Sequence, residues 1–221
     1  MTPTMKPRIT STKMPKMTPT YVVAITGASG VIYAIRLLKA LVQTPCRVIL
    51  MVSQGGFRVL DHEMGFTLGE NFQEFLADQG VVCHHGSTIR IFNETDYAAS
   101  PASGSFVHSG MVVVPCSMKS LAAMAAGYAD NLISRSADVC LKERRPLILV
   151  PRETPLSLIH LENMTRICRA GATILPPCPS FYTSPATVEA LVDTVTARIL
   201  DHLNLNLGHD LVPRWCNGTE Q

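Results

Sequence analysis

Five short apolar runs, at 21–25, 47–52, 111–114, 147–150 and 172–175, most constrain what this chain can fold into. They are rich in Val and Ile and nearly continuous, whereas a strand wetted on one face would alternate apolar and polar residues. Runs of this kind suit strands buried on both faces, as in a parallel sheet. Parallel neighbours must be joined by long crossovers, usually helices, and helical patterns do lie between the runs. Over 31–42, Ile35, Leu38 and Val42 form one stripe. Thr154-Pro155 reads as the N-cap and first turn of a helix with Leu158, Leu161, Met164 and Cys168 on one face, stopped by Gly171. Ser184-Pro185 opens another, with Val188, Leu191, Val192, Val195 and Ile199 inward. The alternation predicts an α/β fold, one doubly wound parallel sheet with helices on both faces and right-handed crossovers. The stretch 64–110 is less regular; it holds a helix near 71–78 and a Gly/Ser-rich loop, Pro101-Ala-Ser-Gly-Ser105.

Charge narrows the function classes. The 221 residues carry +2, but Lys6, Arg8, Lys13 and Lys16, with no acid nearby, give the first 20 residues +4. The remainder has 15 basic against 17 acidic residues, hence −2, which argues against a nucleic-acid-binding body. Residues 1–20 read as a flexible basic tail before a single domain over 21–221, with an organellar targeting segment as the alternative reading. No apolar run reaches the roughly 18–20 residues of a membrane span. The seven cysteines are odd in number and form no CxxC pair, a spacing that suits neither a zinc site nor a disulfide framework. A reducing compartment is expected, the cytoplasm or, for a targeted tail, an organellar matrix.

The polar residues cluster where the apolar runs end: Thr26-Gly-Ala-Ser-Gly30, Ser53-Gln-Gly-Gly56, Pro115-Cys-Ser-Met-Lys-Ser120, Pro151-Arg-Glu-Thr154 and Pro176-Pro-Cys-Pro-Ser-Phe-Tyr182. In an open parallel sheet, ligands bind beyond the carboxyl ends of the strands. The first loop allows close backbone approach and offers free N–H groups at a helix start to an anion. It is not GxGxxG, and no acid stands convincingly about twenty residues on to bind a ribose. A mononucleotide such as FMN is therefore favoured over a dinucleotide, with Ser53, Ser117 and Ser120 as further hydroxyl donors. Arg135 and Lys142, seven apart, share a helix face; with Arg152 and Arg198 they suit a second phosphate, and Tyr182 adds a neutral donor. Glu143, Arg144 and Arg145 read as a solvated helix end.

These motifs, with Ala137-Asp-Val-Cys-Leu-Lys-Glu-Arg-Arg-Pro146, Arg152-Glu-Thr-Pro155 and Pro213-Arg-Trp215, resemble those of the UbiX flavin prenyltransferases over nearly the whole body. The resemblance implies a flavodoxin- or Rossmann-like fold and a metal-independent transferase. It would join the dimethylallyl group of dimethylallyl phosphate to N5 and C6 of reduced FMN, giving prenylated FMN for a UbiD-type decarboxylase. By the same resemblance, Gly27, Ala28, Ser29, Ser53, Ser117, Met118, Lys119 and Ser120 match flavin-binding positions, with Ser29 near N5. Ser103 and Arg135 line the same site. Glu63 and Glu153 match residues with proton-transfer roles. Lys142, Arg152, Tyr182, Arg198 and Trp215 match substrate-binding positions around the prenyl phosphate, and Arg152 matches a flavin-binding position as well. Family members are commonly dodecamers in which Arg152 and Glu153 can reach a neighbouring subunit's site. Ser120 stands where Thr is usual, and about two extra residues fall around 204–210.

The same residues admit plainer readings: Glu153 as an ion-pair partner of Arg152, and Glu63 as the end of a surface helix. Two other functions compete, an FMN-dependent cysteine decarboxylase relative and a non-catalytic flavin carrier. The first would carry Pro-Ala-Ser-Ala-Asn-Thr where Pro101-Ala-Ser-Gly-Ser105 stands, and the second needs no additional phosphate pocket.

Overall fold

The computed structural model describes residues 18–84 and 86–214. Among them, six strands form one parallel sheet: β1 (Thr20–Ile25), β2 (Arg47–Val52), β3 (Thr88–Asn93), β4 (Gly110–Cys116), β5 (Leu147–Pro151) and β6 (Thr173–Ile174). Their order is β3-β2-β1-β4-β5-β6, and every pairing is parallel. The helices are α1 (Val31–Leu41), α2 (Gln54–Met64), α3 (Phe72–Asp78), α4 (Met118–Ala126), α5 (Leu132–Lys142), α6 (Leu158–Arg169) and α7 (Val188–His202).

The continuous apolar runs arise because both faces of the central strands are covered. Along β1, Tyr21, Val23 and Ile25 join a core with Ile35 and Leu38 of α1 and Val195 and Ile199 of α7. Val22 and Ala24 point the other way, into a core with Leu121 and Met124 of α4 and Leu132 and Ile133 of α5. The two-residue period of a strand splits one run between two cores. β3 escaped the sequence pattern because it is an edge strand, half exposed, with Arg90 stacked over Phe92 at 4.5 Å from the ring centroid. Beside it, Phe57, Phe66, Phe72 and Phe75 form a satellite cluster with ring centroids 5.0 to 5.8 Å apart that docks α3 on α2.

Three local expectations are corrected. α6 begins at Leu158, three residues after Pro155, because Ser157 and His160 make a reciprocal capping box at that point. Its expected inward face is largely wet: Leu158 is 70% and Leu161 47% exposed, while Ile167 is buried. α7 is capped by Thr187, which leaves Val188 exposed while Val192, Val195 and Ile199 are buried. Arg145 is no solvated end; its guanidinium donates to the carbonyls of Gly104 at 2.6 Å and Phe106 at 2.7 Å and fastens that loop to α5.

Helices α1 and α7 are joined by a two-point ion pair: Arg36 Nε donates to Asp193 Oδ1 at 2.7 Å and Nη2 to Oδ2. Asp193 is 8% exposed, so losing its charge leaves the guanidinium without an equal partner. Asp193→Asn is expected to lower stability by about 1–3 kcal/mol, read from urea unfolding. His108, also buried, lies 3.8 Å from Cys140 Sγ, and its pKa is lowered by desolvation first and by Arg145 second. A group with a depressed folded-state value contributes its stability in full above about pH 6.5. That contribution is lost as the pH falls from there through the folded value. His108→Asn is expected to flatten the fall in melting temperature below pH 6.5, at a cost in absolute stability.

Candidate functional site

The strand order reverses between β1 and β4, and the crevice opens there. Pro115 cannot donate to the ladder, and the β4–β5 register shifts between Val113 and Cys116. The Pro115 carbonyl instead takes both Thr26 N, at 3.2 Å, and Thr26 Oγ1, at 2.9 Å. The same hydroxyl accepts Ser117 N–H at 2.7 Å. One fully buried threonine thus ties the ends of the two switch-point strands.

The next residue brings β1 against the start of α2. A Cβ on Gly27 would meet Gly55 Cα at 3.1 Å, and one on Gly55 would meet Gly27 Cα at 3.1 Å. On Gly56 it would strike the Ile25 carbonyl at 2.7 Å. Around this bare backbone lies a cleft of roughly 260 Å³ lined by Gly27, Ser53, Gly55, Ser117, Lys119 and Ser120, among others. Ser53 and Ser117 are the N-caps of α2 and α4, and Ser117 Oγ also bonds Ser120 Oγ at 3.0 Å. Ala28 is buried and Ser29 half-buried, while Met118 packs against the α4–α5 core. A flat backbone wall edged by hydroxyls fits a planar ring carrying a phosphate. The charge is not one-sided, since Glu94 and Asp130 also line the cleft.

Two helix starts are already held by carboxylates of the chain. Glu63, near the end of α2, accepts Gly30 N–H at 2.9 and 3.1 Å and Val31 N–H at 3.1 Å. Those amides, expected to be free for an anion, therefore hold Glu63 at the edge of the 27–30 loop. Glu94 accepts Gln54 N–H at 2.6 Å at the head of α2. Thr26 and Gly55 were visible only as members of loops in the sequence; nothing in the sequence signalled Glu94.

Arg152 and Glu153 follow β5 beside Ser117, with Arg152 N bonded to the Cys116 carbonyl at 3.3 Å. Both side chains are exposed, and Glu153 accepts the Thr154 N–H at 3.0 Å; it forms no ion pair with Arg152 among the described residues. A second pocket, of roughly 460 Å³, is lined by Cys178, Ser180, Tyr182, Thr194, Arg198, Asp201 and the 212–214 segment. It lies next to α1, where burial and the nearby Cys178 raise the pKa of the Tyr33 phenol.

Ser103, Arg135 and Lys142 do not join either pocket within one chain. Arg135 is held by Asp138 at 2.6 Å and by the Ala102 carbonyl at 3.1 Å. Lys142 sits at the far end of α5, just before β5, and pairs with Glu143 at 2.5 Å. That end lies at the amino edge of the sheet. Trp215 lies outside the described residues, as does most of the basic segment 1–20. No helix of the described residues is long and apolar enough to cross a membrane.

The chain matches the Flavoprotein family over residues 8–200. It is 47% identical over 193 residues to the flavin prenyltransferase UbiX of Pseudomonas aeruginosa, covering 87% of this chain and 91% of that protein. Among solved structures it is similar to AnUbiX (PadA1) in complex with FMN and dimethylallyl pyrophosphate: TM-score 0.79, 42% identity, 92% of this chain and all of that one. A dodecameric FMN-dependent UbiX-like decarboxylase from Escherichia coli O157:H7 superposes with a TM-score of 0.78 at 41% identity, over 90% of this chain and all of that one.

The paired glycines give the site a direct test. Gly55→Ala is expected to cost about 1–3 kcal/mol by forcing two backbones apart. It should also weaken mononucleotide binding, measured by flavin fluorescence, by more than Gly65→Ala does; at Gly65 the added carbon meets nothing within 4 Å, and its cost is backbone strain at φ +72° away from the cleft.

Proposed function

This chain belongs to the flavoprotein family, among its flavin prenyltransferases, and from that premise we propose that it transfers the dimethylallyl group of dimethylallyl phosphate to N5 and C6 of reduced FMN. The observation that carries this reading is a pair of pockets in one chain. One is a glycine-walled, hydroxyl-lined cleft for a flavin, the other a Tyr182–Arg198 pocket for a phosphate. FMN, when bound, supplies the nucleophilic nitrogen and the ring carbon that receive the prenyl group.

The residues of the chain divide the remaining work. Gly27, Ala28 and Gly55 let the ring lie against backbone, and Ser53, Ser117, Met118, Lys119 and Ser120 hold its ribityl phosphate and edge. Ser29, half-buried in the loop after β1, would stand near the reacting nitrogen. Tyr182, Arg198, Arg152 and Lys142 aim positive charge and a hydroxyl at the departing phosphate, where negative charge develops. Glu63 and Glu153 carry the protons that accompany phosphate departure and loss of the C6 hydrogen. Glu63 is fixed for that task by its three backbone bonds.

A second copy of the chain completes the site. Lys142 lies at the amino edge, and Ser103, Arg135 and Lys142, which line neither pocket of their own chain, would reach a crevice from a neighbouring subunit. A homo-oligomer, a dodecamer like the Escherichia coli relative, supplies that arrangement. It would also exclude water from the carbocation-like centre. The product passes to a UbiD-type decarboxylase. We place the reaction in the cytoplasm, or in an organellar matrix where residues 1–20 act as a targeting segment.

Anaerobic incubation with FMN, a reductant and dimethylallyl phosphate, then mass spectrometry, is expected to give a flavin heavier by one C5 prenyl unit. Recovery of unmodified FMN alone, with the diphosphate also tried, overturns the reading. Glu153→Gln should retain FMN and lose turnover about a hundredfold or more. Unchanged turnover would favour a flavin carrier.

A further inference from the structure

Three charged side chains lining the second pocket, Arg198, Asp201 and Arg214, form with Asp210 beside them an ion-pair chain of which the reading above uses only Arg198. Arg198 Nη1 and Arg214 Nη1 each donate to Asp201 Oδ2 at 2.8 Å. Arg214 Nε also donates to Asp210 Oδ1 at 2.9 Å. Arg198 and Asp201 lie three apart on α7, whereas Arg214 reaches across from a segment beyond the helix. Asp201 thus links the α7 wall to the 212–214 wall. We infer that Asp201 is a positioning residue that holds Arg198 and Arg214 as a two-guanidinium fork for the phosphate of the prenyl donor, with Arg214 a second phosphate ligand.

The geometry supports this in three ways. Arg198 is 63% exposed along its side chain, so without an anchor its guanidinium is free to swing through solvent. Both arginines attach to a single carboxylate oxygen, and each fork carries more N–H donors than these pairs use. Arg198, Asp201 and Arg214 line the pocket while Asp210 stands outside it, so the pocket offers a phosphate oriented donors and one net positive charge. The flanking guanidiniums, with the hydrogen bond from Arg214 as the largest cause, lower the pKa of Asp201, which keeps it a pure acceptor at neutral pH.

The inference rests on the proposed function for the identity of the donor, so binding and turnover are read separately. Calorimetry of dimethylallyl phosphate against FMN-loaded, full-length protein reads the pocket without turnover. Asp201→Asn and Arg214→Ala are each expected to weaken binding by about tenfold, with FMN affinity unchanged. Arg214→Lys, which keeps the charge but loses the fork, should fall between. In steady state the loss should appear mainly in KM for the prenyl donor. Donor affinity within twofold of wild type in Asp201→Asn and Arg214→Ala, while Arg198→Ala weakens it, overturns the inference. If Asp201→Asn does not fold, Arg214→Ala decides alone. Wild-type protein that binds the donor through these residues yet makes no prenylated flavin would instead overturn the proposed function.

Discussion

The Thr26 hydroxyl accepts from the Ser117 amide and donates to the Pro115 carbonyl, so it sets the distance between the ends of β1 and β4. In a doubly wound sheet the crossovers leave this switch point in opposite directions, and the chain itself does not span the gap. A threonine there closes it with two hydrogen bonds in a fully buried position, where each bond, if broken, strands a polar group. The next residue, Gly27, can then lie against Gly55 with no side chain between them. The serine caps of α2 and α4 line the same cleft, α4 starting from β4 and α2 from β2, on either side of β1.

The chain's own carboxylates shape the same edge. Glu63 and Glu94 hold the starts of α1 and α2, sites where helix amides and the helix dipole favour an anion. Phosphate recognition consequently shifts toward hydroxyls and guanidiniums. At the second pocket a further carboxylate, Asp201, orients the Arg198 and Arg214 guanidiniums.

Much of the fold was legible because burial on both faces writes an unbroken apolar run into β1, β2, β4 and β5. β3 was not, since an edge strand with one wet face reads as Thr-Ile-Arg-Ile-Phe-Asn, and its polar positions hide it among loops. The start of α6 was misread because Pro155 imitates a first-turn proline, while the operative cap, Ser157 with His160, lies two residues later. At the site, glycines and serines after strand ends could be picked out by residue type. Thr26, Asp201 and Arg214 could not, because their roles arise from contacts across 91 residues for Thr26–Ser117 and 13 for Asp201–Arg214. Likewise no sequence pattern shows that Lys142 sits at the opposite edge of the sheet from Gly27; that follows from the direction of α5.

The threonine tie between β1 and β4 creates the flavin cradle, and FMN affinity in Thr26 variants is the measurement that decides it. Thr26→Ser keeps the hydroxyl and should bind FMN within about twofold of wild type. Thr26→Val keeps the shape and loses both hydroxyl bonds; it should bind at least about tenfold more weakly while remaining folded by circular dichroism. Equal FMN affinity in the folded Val and Ser variants would mean that the cradle forms without the tie.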